Sequence, residues 1–200
     1  MSSRLAIPWL VALPAVLIHG FPQLGAWLEY RREALFDLEL WRLVTGHWTH
    51  GSVEHLVWDV LAFAGLGSGL CALSPRVFRR TVFGSVAAIS ACLFLLGPQW
   101  EVYRGLSGID TGLLVALAAL LSRESSGKQR WILPLAMLLA VGKIGMEAVT
   151  GAALFAADIP GYAVVPLAHG VGALVGLLAT RRGRRVRPVT PRMPACGEAS

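Results

Sequence analysis

The sequence predicts an all-α, multi-pass membrane protein: six helices crossing the bilayer, with a long outward loop after the first. Three observations carry this. The chain of 200 residues is 55% hydrophobic and only 15% charged, against about 25% charge in a soluble domain. The apolar residues come in blocks long enough for spans of about 20 residues. The basic residues concentrate in every second loop. Disorder, a coiled coil and a disulfide-rich secreted module are excluded by the same composition. The net charge of +6 follows membrane topology rather than a nucleic-acid surface, so nucleic acid is not expected as a partner and the lipid bilayer is. Cys71, Cys92 and Cys196 have no paired spacing, so neither a disulfide nor a metal knuckle is expected.

The six blocks are Leu5–Phe21, His55–Leu73, Thr81–Leu96, Ser107–Leu121, Trp131–Thr150 and Ala163–Thr180. The first resembles a signal peptide but lacks a small-x-small cleavage site and is followed by further spans, so it is read as the first helix. Thirteen of the 18 Lys and Arg lie at the N-terminus (Arg4), between blocks two and three (Arg76, Arg79, Arg80), between blocks four and five (Arg123, Lys128, Arg130) and in the tail from Arg181 to Arg192. By the positive-inside rule these ends are cytoplasmic, with both termini on that side. The membrane domain is expected over 1–185. The Pro-rich tail 186–200 is expected to be disordered.

The stretch from Pro22 to Val53 is long for a connection. It carries Trp27, Trp41, Trp48, Tyr30 and Phe36, aromatic residues of the kind that sit at the headgroup level. A partly helical loop lying in the interface is expected.

Ionisable residues inside spans are costly and are candidates for function. They are His55 and Asp59, four apart on one helix face, Asp110, Lys143 and Glu147, and His169. Lys143 and Glu147 are also four apart and are expected to neutralise each other, the alternative being a contact to substrate or a gate. Gly105-Leu106-Ser107-Gly108 puts Ser107 at a helix start, where the first backbone N–H groups have no intrahelical acceptor and can donate to an oxyanion. A serine cap with a glycine turn explains the same residues without catalysis. His169, Gly172 and Gly176 fall on one stripe of the sixth helix, and G-x-x-x-G permits close helix approach. Gly108 and Gly112 offer a matching small face. Two such faces in contact would bring an imidazole to Ser107, as a serine nucleophile requires.

With these residues in hand, the chain resembles the rhomboid intramembrane serine proteases. The resemblance lies in Glu39-Leu40-Trp41-Arg42 through Thr45, His50, Ser52 and His55, in Gly105-Leu106-Ser107-Gly108, and in Ala168-His169 with Gly172 and Gly176. The six-helix layout and Tyr103-Arg104 are similar to the rhombosortase branch. The resemblance implies Ser107 as nucleophile and His169 as general base, with no metal or cofactor. It implies His55 and the Ser107 N–H as oxyanion donors, Gly105 and Gly108 as their support, and Trp41 and Arg42 as shapers of the outward loop. It implies His50 as a structural tie between loop and bundle; His47 is expected to be solvated. The branch implies substrates anchored by a C-terminal segment containing Gly-Gly, in a bacterial inner membrane. One position departs: the family has Asn four residues after the helix-two His, whereas here it is Asp59, an acceptor that would repel an oxyanion. Of the ways out (protonation, pairing with a cation such as Lys143, or orienting His55), the last is preferred. A membrane haem protein using His55 and His169, a proton-coupled transporter and an inactive relative are the rival classes. No inverted repeat is visible for a transporter, and Ser107 and His169 are both present.

Overall fold

The computed structural model describes residues 3–124, 127, 131–150 and 165–181. Each apolar block falls on a long helix: α1 (Ser3–His19), α5 (Val53–Leu73), α6 (Pro75–Leu96), α7 (Ser107–Glu124), α8 (Ile132–Thr150) and α9 (Pro166–Arg181). Between α1 and α5 the chain makes short pieces: α2 (Pro22–Leu28), strand β1 (Tyr30–Arg31), α3 (Arg32–Phe36), α4 (Arg42–Thr45) and a 3-10 turn (Gly46–Trp48). The loop is therefore partly helical. A second strand, β2 (Val102–Tyr103), precedes α7 and pairs antiparallel with β1, Tyr30 opposite Tyr103.

Helix ends follow capping chemistry rather than hydropathy. Ser52 caps α5, its hydroxyl accepting from the His55 N–H at 3.1 Å. Ser74 caps α6, with Pro75 in the first turn, where a missing N–H costs nothing. Arg76, Arg79 and Arg80, expected in a loop, consequently ride on the first turns of α6, and only Ser74 separates α5 from α6. The apolar block marked the part of the helix suited to lipid, not its full length.

By length and hydropathy, α5 and α6 can each cross a membrane, and the α1–α2 pair, bent by 115°, is a third candidate. The bundle carries apolar side chains on its outside and buries a group of polar ones inside its hydrophobic core. Leu10, Leu17, Phe83, Leu95, Leu138 and Val149 are exposed, whereas His47, His55, Asp59, Asp110 and His169 are buried. Such broad exposed apolar surface is foreign to a water-soluble monomer. α7 is the hub, packing on α5, α6, α8 and α9. Its Ile109, Leu113, Val115 and Ala116 are fully buried, as a helix hydrophobic all round must be.

The tightest seam joins α7 to α9. A Cβ at Gly172 would overlap the Gly108 carbonyl oxygen, and one at Gly176 that of Gly112. A Cβ at Gly112 would stand 2.7 Å from the Gly172 carbonyl oxygen. Backbone meets backbone with no side chain between. Gly176→Ala is therefore expected to force the helices apart, destabilising the fold by roughly 1–3 kcal/mol. Gly142→Ala, where no neighbouring atom of the described residues lies within 4 Å of the added Cβ, is expected to be neutral or mildly stabilising. Thermal unfolding in detergent compares the two.

Candidate active site

The segment entering α7 is held from three sides. Gly105 has φ +112°, and a Cβ there would lie 2.7 Å from His55 Cε1 and 3.0 Å from Asp59 Oδ2. Only glycine satisfies both the left-handed backbone and the contact. The Tyr103 hydroxyl donates to the Gly105 carbonyl at 3.1 Å. The Leu106 N–H donates to Asp59 Oδ2 at 2.8 Å. Leu106 then accepts the first helical bond, from the Asp110 N–H at 2.9 Å, so Ser107 opens the helix. Its backbone N–H is among the first-turn donors that have no acceptor within the helix.

The seam brings α9 alongside. His169 Nε2 stands 2.9 Å from Ser107 Oγ, with the imidazole 4% exposed. Gly108 faces the carbonyl of Ala168, at 3.0 Å from where its Cβ would be. Thus Ser107, Gly108, His169, Gly172 and Gly176 converge. On the far side of the ring, Lys143 Nζ lies 3.5 Å from His169 Nδ1. The Glu147 side chain falls outside the described residues, and with it the expected Lys143–Glu147 pair.

Asp59 is a second convergence point. Beyond the Leu106 N–H, its Oδ2 meets His50 Nε2 at 3.1 Å and His55 Nε2 at 3.2 Å. The two rings meet edge to face, with centroids 5.1 Å apart. His50 thus ties the loop to α5. The Nε2 of His55 stands against Asp59 Oδ2 and beside the Gly105 turn. A neutral imidazole has a single N–H, and a carboxylate in contact with Nε2 claims it. Asp110, one turn along α7 from Ser107, is buried, and neither carboxylate oxygen has a hydrogen-bond partner among the described residues.

The loop is bolted to the same assembly. Arg42 is buried and donates from Nη1 to the carbonyls of Ala26, at 3.1 Å, and Glu29, at 2.9 Å, while its Nε reaches Glu39 at 2.5 Å. Trp41 stacks on Trp27 at 5.1 Å between centroids. The buried Glu29 carboxylate pairs with Arg31 at 2.6 Å and with Arg104 Nε at 2.7 Å, joining the loop to the segment that leads into Ser107, alongside the β1–β2 pair.

His47 corrects the expectation of a solvated residue: it is 1% exposed. The Ser90 hydroxyl donates to the Leu43 carbonyl, leaving its oxygen to face His47 Nε2 at 3.1 Å. Burial lowers the His47 pKa to about 4. Sequence reasoning missed it because a polar residue amid loop aromatics gives no signal of a bond to α6. The contacts of Asp59 to Leu106 and of Lys143 to His169 also left no trace in spacing, since each joins residues far apart in the chain.

Two outcomes follow from these networks. Asp59→Ala leaves three donors without their acceptor and is expected to destabilise by about 3 kcal/mol or more, at 1–3 kcal/mol per stranded buried donor, read by thermal unfolding in detergent. His47 takes its proton near 6.5 when unfolded but only near 4 when folded. Its contribution to stability is therefore complete above about pH 6.5 and is lost progressively as pH falls toward 4, by about 3 kcal/mol. His47→Gln is expected to remove that part of the acid sensitivity in the same measurement.

Comparison with curated proteins returns no match. Residues 37–185, however, match the Rhomboid domain, a span that takes in the loop from Asp37, the turn before Ser107 and both glycine stripes. The chain belongs to the rhomboid family, whose members are generally intramembrane serine proteases.

Proposed function

We propose that the chain is a six-span intramembrane endopeptidase working through a Ser107–His169 dyad, and that its substrates are exported proteins held by a C-terminal anchor containing Gly-Gly, as in the rhombosortase branch. The observation that carries the reading is the 2.9 Å approach of His169 Nε2 to Ser107 Oγ across a seam with no side chain to loosen it.

In this reading Ser107 Oγ attacks the scissile carbonyl while His169 Nε2 takes its proton. His169 then returns the proton to the leaving amine. The Ser107 backbone N–H receives the developing oxyanion, helped by the positive end of the α7 dipole. His55 and Asp59 support the oxyanion region by fixing the Gly105 turn. Asp59, with its oxygen spent on two histidines and the Leu106 N–H, orients rather than repels. Water, or an amine if the enzyme transfers, releases the acyl group. The Gly-Gly preference has a physical basis: a helical anchor must unwind to expose a peptide bond, and each Gly lowers the helix-forming tendency by about 1 kcal/mol relative to Ala. The charge pattern supports both termini in the cytoplasm of a bacterial inner membrane, with the dyad near the outer face. A rhomboid protease acting on other single-span proteins is the second reading. Nothing in the Ser107–His169 geometry distinguishes it, because the dyad reads no side chain of the substrate.

Ser107→Ala and His169→Ala are each expected to lower cleavage by about 10⁴-fold or more while the protein still accumulates in the membrane. Mass spectrometry of the membrane-anchored, Gly-Gly-containing exported proteins, with and without the intact chain, reads both dyad and substrate class. Unchanged processing by Ser107→Ala overturns the mechanism. Processing of single-span proteins without Gly-Gly favours the second reading.

A further inference from the structure

We propose that Lys143 decides which nitrogen of His169 carries the proton, and thereby whether the ring can act as a base; this rests on the Ser107–His169 reading above. Lys143 projects from α8, half-buried, and its Nζ lies 3.5 Å from His169 Nδ1, while the opposite nitrogen of the ring lies 2.9 Å from Ser107 Oγ. The imidazole is thus held between an amine and an alcohol.

An ammonium is a donor only. Docked on Nδ1, it requires a lone pair there, and the single proton of the neutral ring then sits on Nε2. That tautomer points its N–H at Ser107 Oγ and has no lone pair to accept the serine proton. The competent tautomer carries its proton on Nδ1 and presents a bare Nε2 to Ser107. The two forms differ only in the position of one proton, exchanged with water, so no other reactant is needed. Once the ring has taken the serine proton, an ammonium against Nδ1 would also face an imidazolium at contact distance, a repulsion that low dielectric strengthens.

Lys143 has a second destination. Asp110 faces the same interior, one turn along α7 from Ser107. Both its oxygens are buried without a hydrogen-bond partner among the described residues, and it lies in electrostatic reach of Lys143 and of Asp59. Lys143 drawn to Asp110 neutralises that carboxylate and releases Nδ1. Lys143 on His169 holds the site idle. The amine is therefore a positioning residue that acts through His169 and does not touch substrate.

The test combines tautomer and rate. Nitrogen-15 NMR of the full chain in detergent micelles, labelled at histidine and assigned with His169→Gln, is expected to show His169 protonated at Nε2. Lys143→Met is expected to move the proton to Nδ1. With a quenched fluorogenic single-span peptide containing Gly-Gly, Lys143→Met is expected to raise kcat with KM unchanged. The rise is about tenfold where the competent form is held to about 10% of the ring population. Lys143→Arg, which keeps a donor-only cation, is expected to stay at or below the parent rate. A merely structural Lys143 would lower stability and rate together and leave the tautomer unmoved. An Nδ1-protonated ring in the parent chain, or the same tautomer and kcat in Lys143→Met, overturns the proposal even where Ser107→Ala abolishes cleavage. Cleavage that survives in Ser107→Ala overturns the reading beneath it, and the tautomer is still read without any substrate.

Discussion

Everything at the centre of this molecule depends on how closely two helices can approach. Gly108 and Gly112 on α7 lie against Gly172 and Gly176 on α9 with carbonyl oxygens where side chains would otherwise be. In a bilayer there is little hydrophobic drive to press helices together, because lipid is as apolar as leucine. Packing and close backbone contact must do it. The same seam that stabilises the bundle also sets the distance between a serine at one helix start and an imidazole one turn up the other. Stability and geometry share these glycines.

A second constraint works at right angles to the first. The segment before Ser107 has to turn sharply to enter α7, and a turn is usually the softest part of a fold. Here it is locked by one carboxylate. Asp59 Oδ2 receives the Leu106 N–H and faces both His50 and His55. Through His50 it reaches the outward loop, which is bound again through Glu29 to Arg104. A buried, half-satisfied polar group is expensive, while a fully engaged one confers rigidity. The amide that the family resemblance leads one to expect at this position would offer both a donor and an acceptor. The carboxylate offers acceptors only, and three donors converge on it. In the proposed mechanism that difference is a change of job, from contacting the reaction to holding the parts that do.

Much of this was legible in the sequence for reasons of period and composition. Apolar blocks located the long helices because each is a contiguous stretch. The glycines at 108, 112, 172 and 176 advertised a close approach because spacing of four keeps a helical face constant. Other features were not legible. The extension of α6 back to Pro75 was hidden by its arginines, which look like loop but follow a Ser cap and a Pro start. The burial of His47 depends on Ser90, 43 residues away. Four-residue spacing is the partner rule a single sequence offers, and it points Lys143 to Glu147, whose side chain lies outside the described residues. The contact of Lys143 with His169 crosses 26 residues and arises only once α8 and α9 have packed. Local periodicity is written in the chain, whereas convergence between distant elements is a property of the assembled bundle.

The distribution of charge around the imidazole is the last consequence of that assembly. A serine hydrolase on a soluble scaffold commonly sets a carboxylate behind its histidine, which fixes the productive tautomer and stabilises the imidazolium. In this bundle one buried carboxylate, Asp59, is committed to the other end of the site, and a second, Asp110, lies along α7 beyond Ser107. Among the described residues, the amine of Lys143 faces His169 Nδ1. A cation there biases the ring in the opposite sense from a carboxylate. The backbone seam contributes in a different way: with α9 pinned to α7 at Gly172 and Gly176, the backbone that carries the ring stays beside Ser107. Rigid helix packing thus sets the distance between the two helices, and the groups around the ring set its proton.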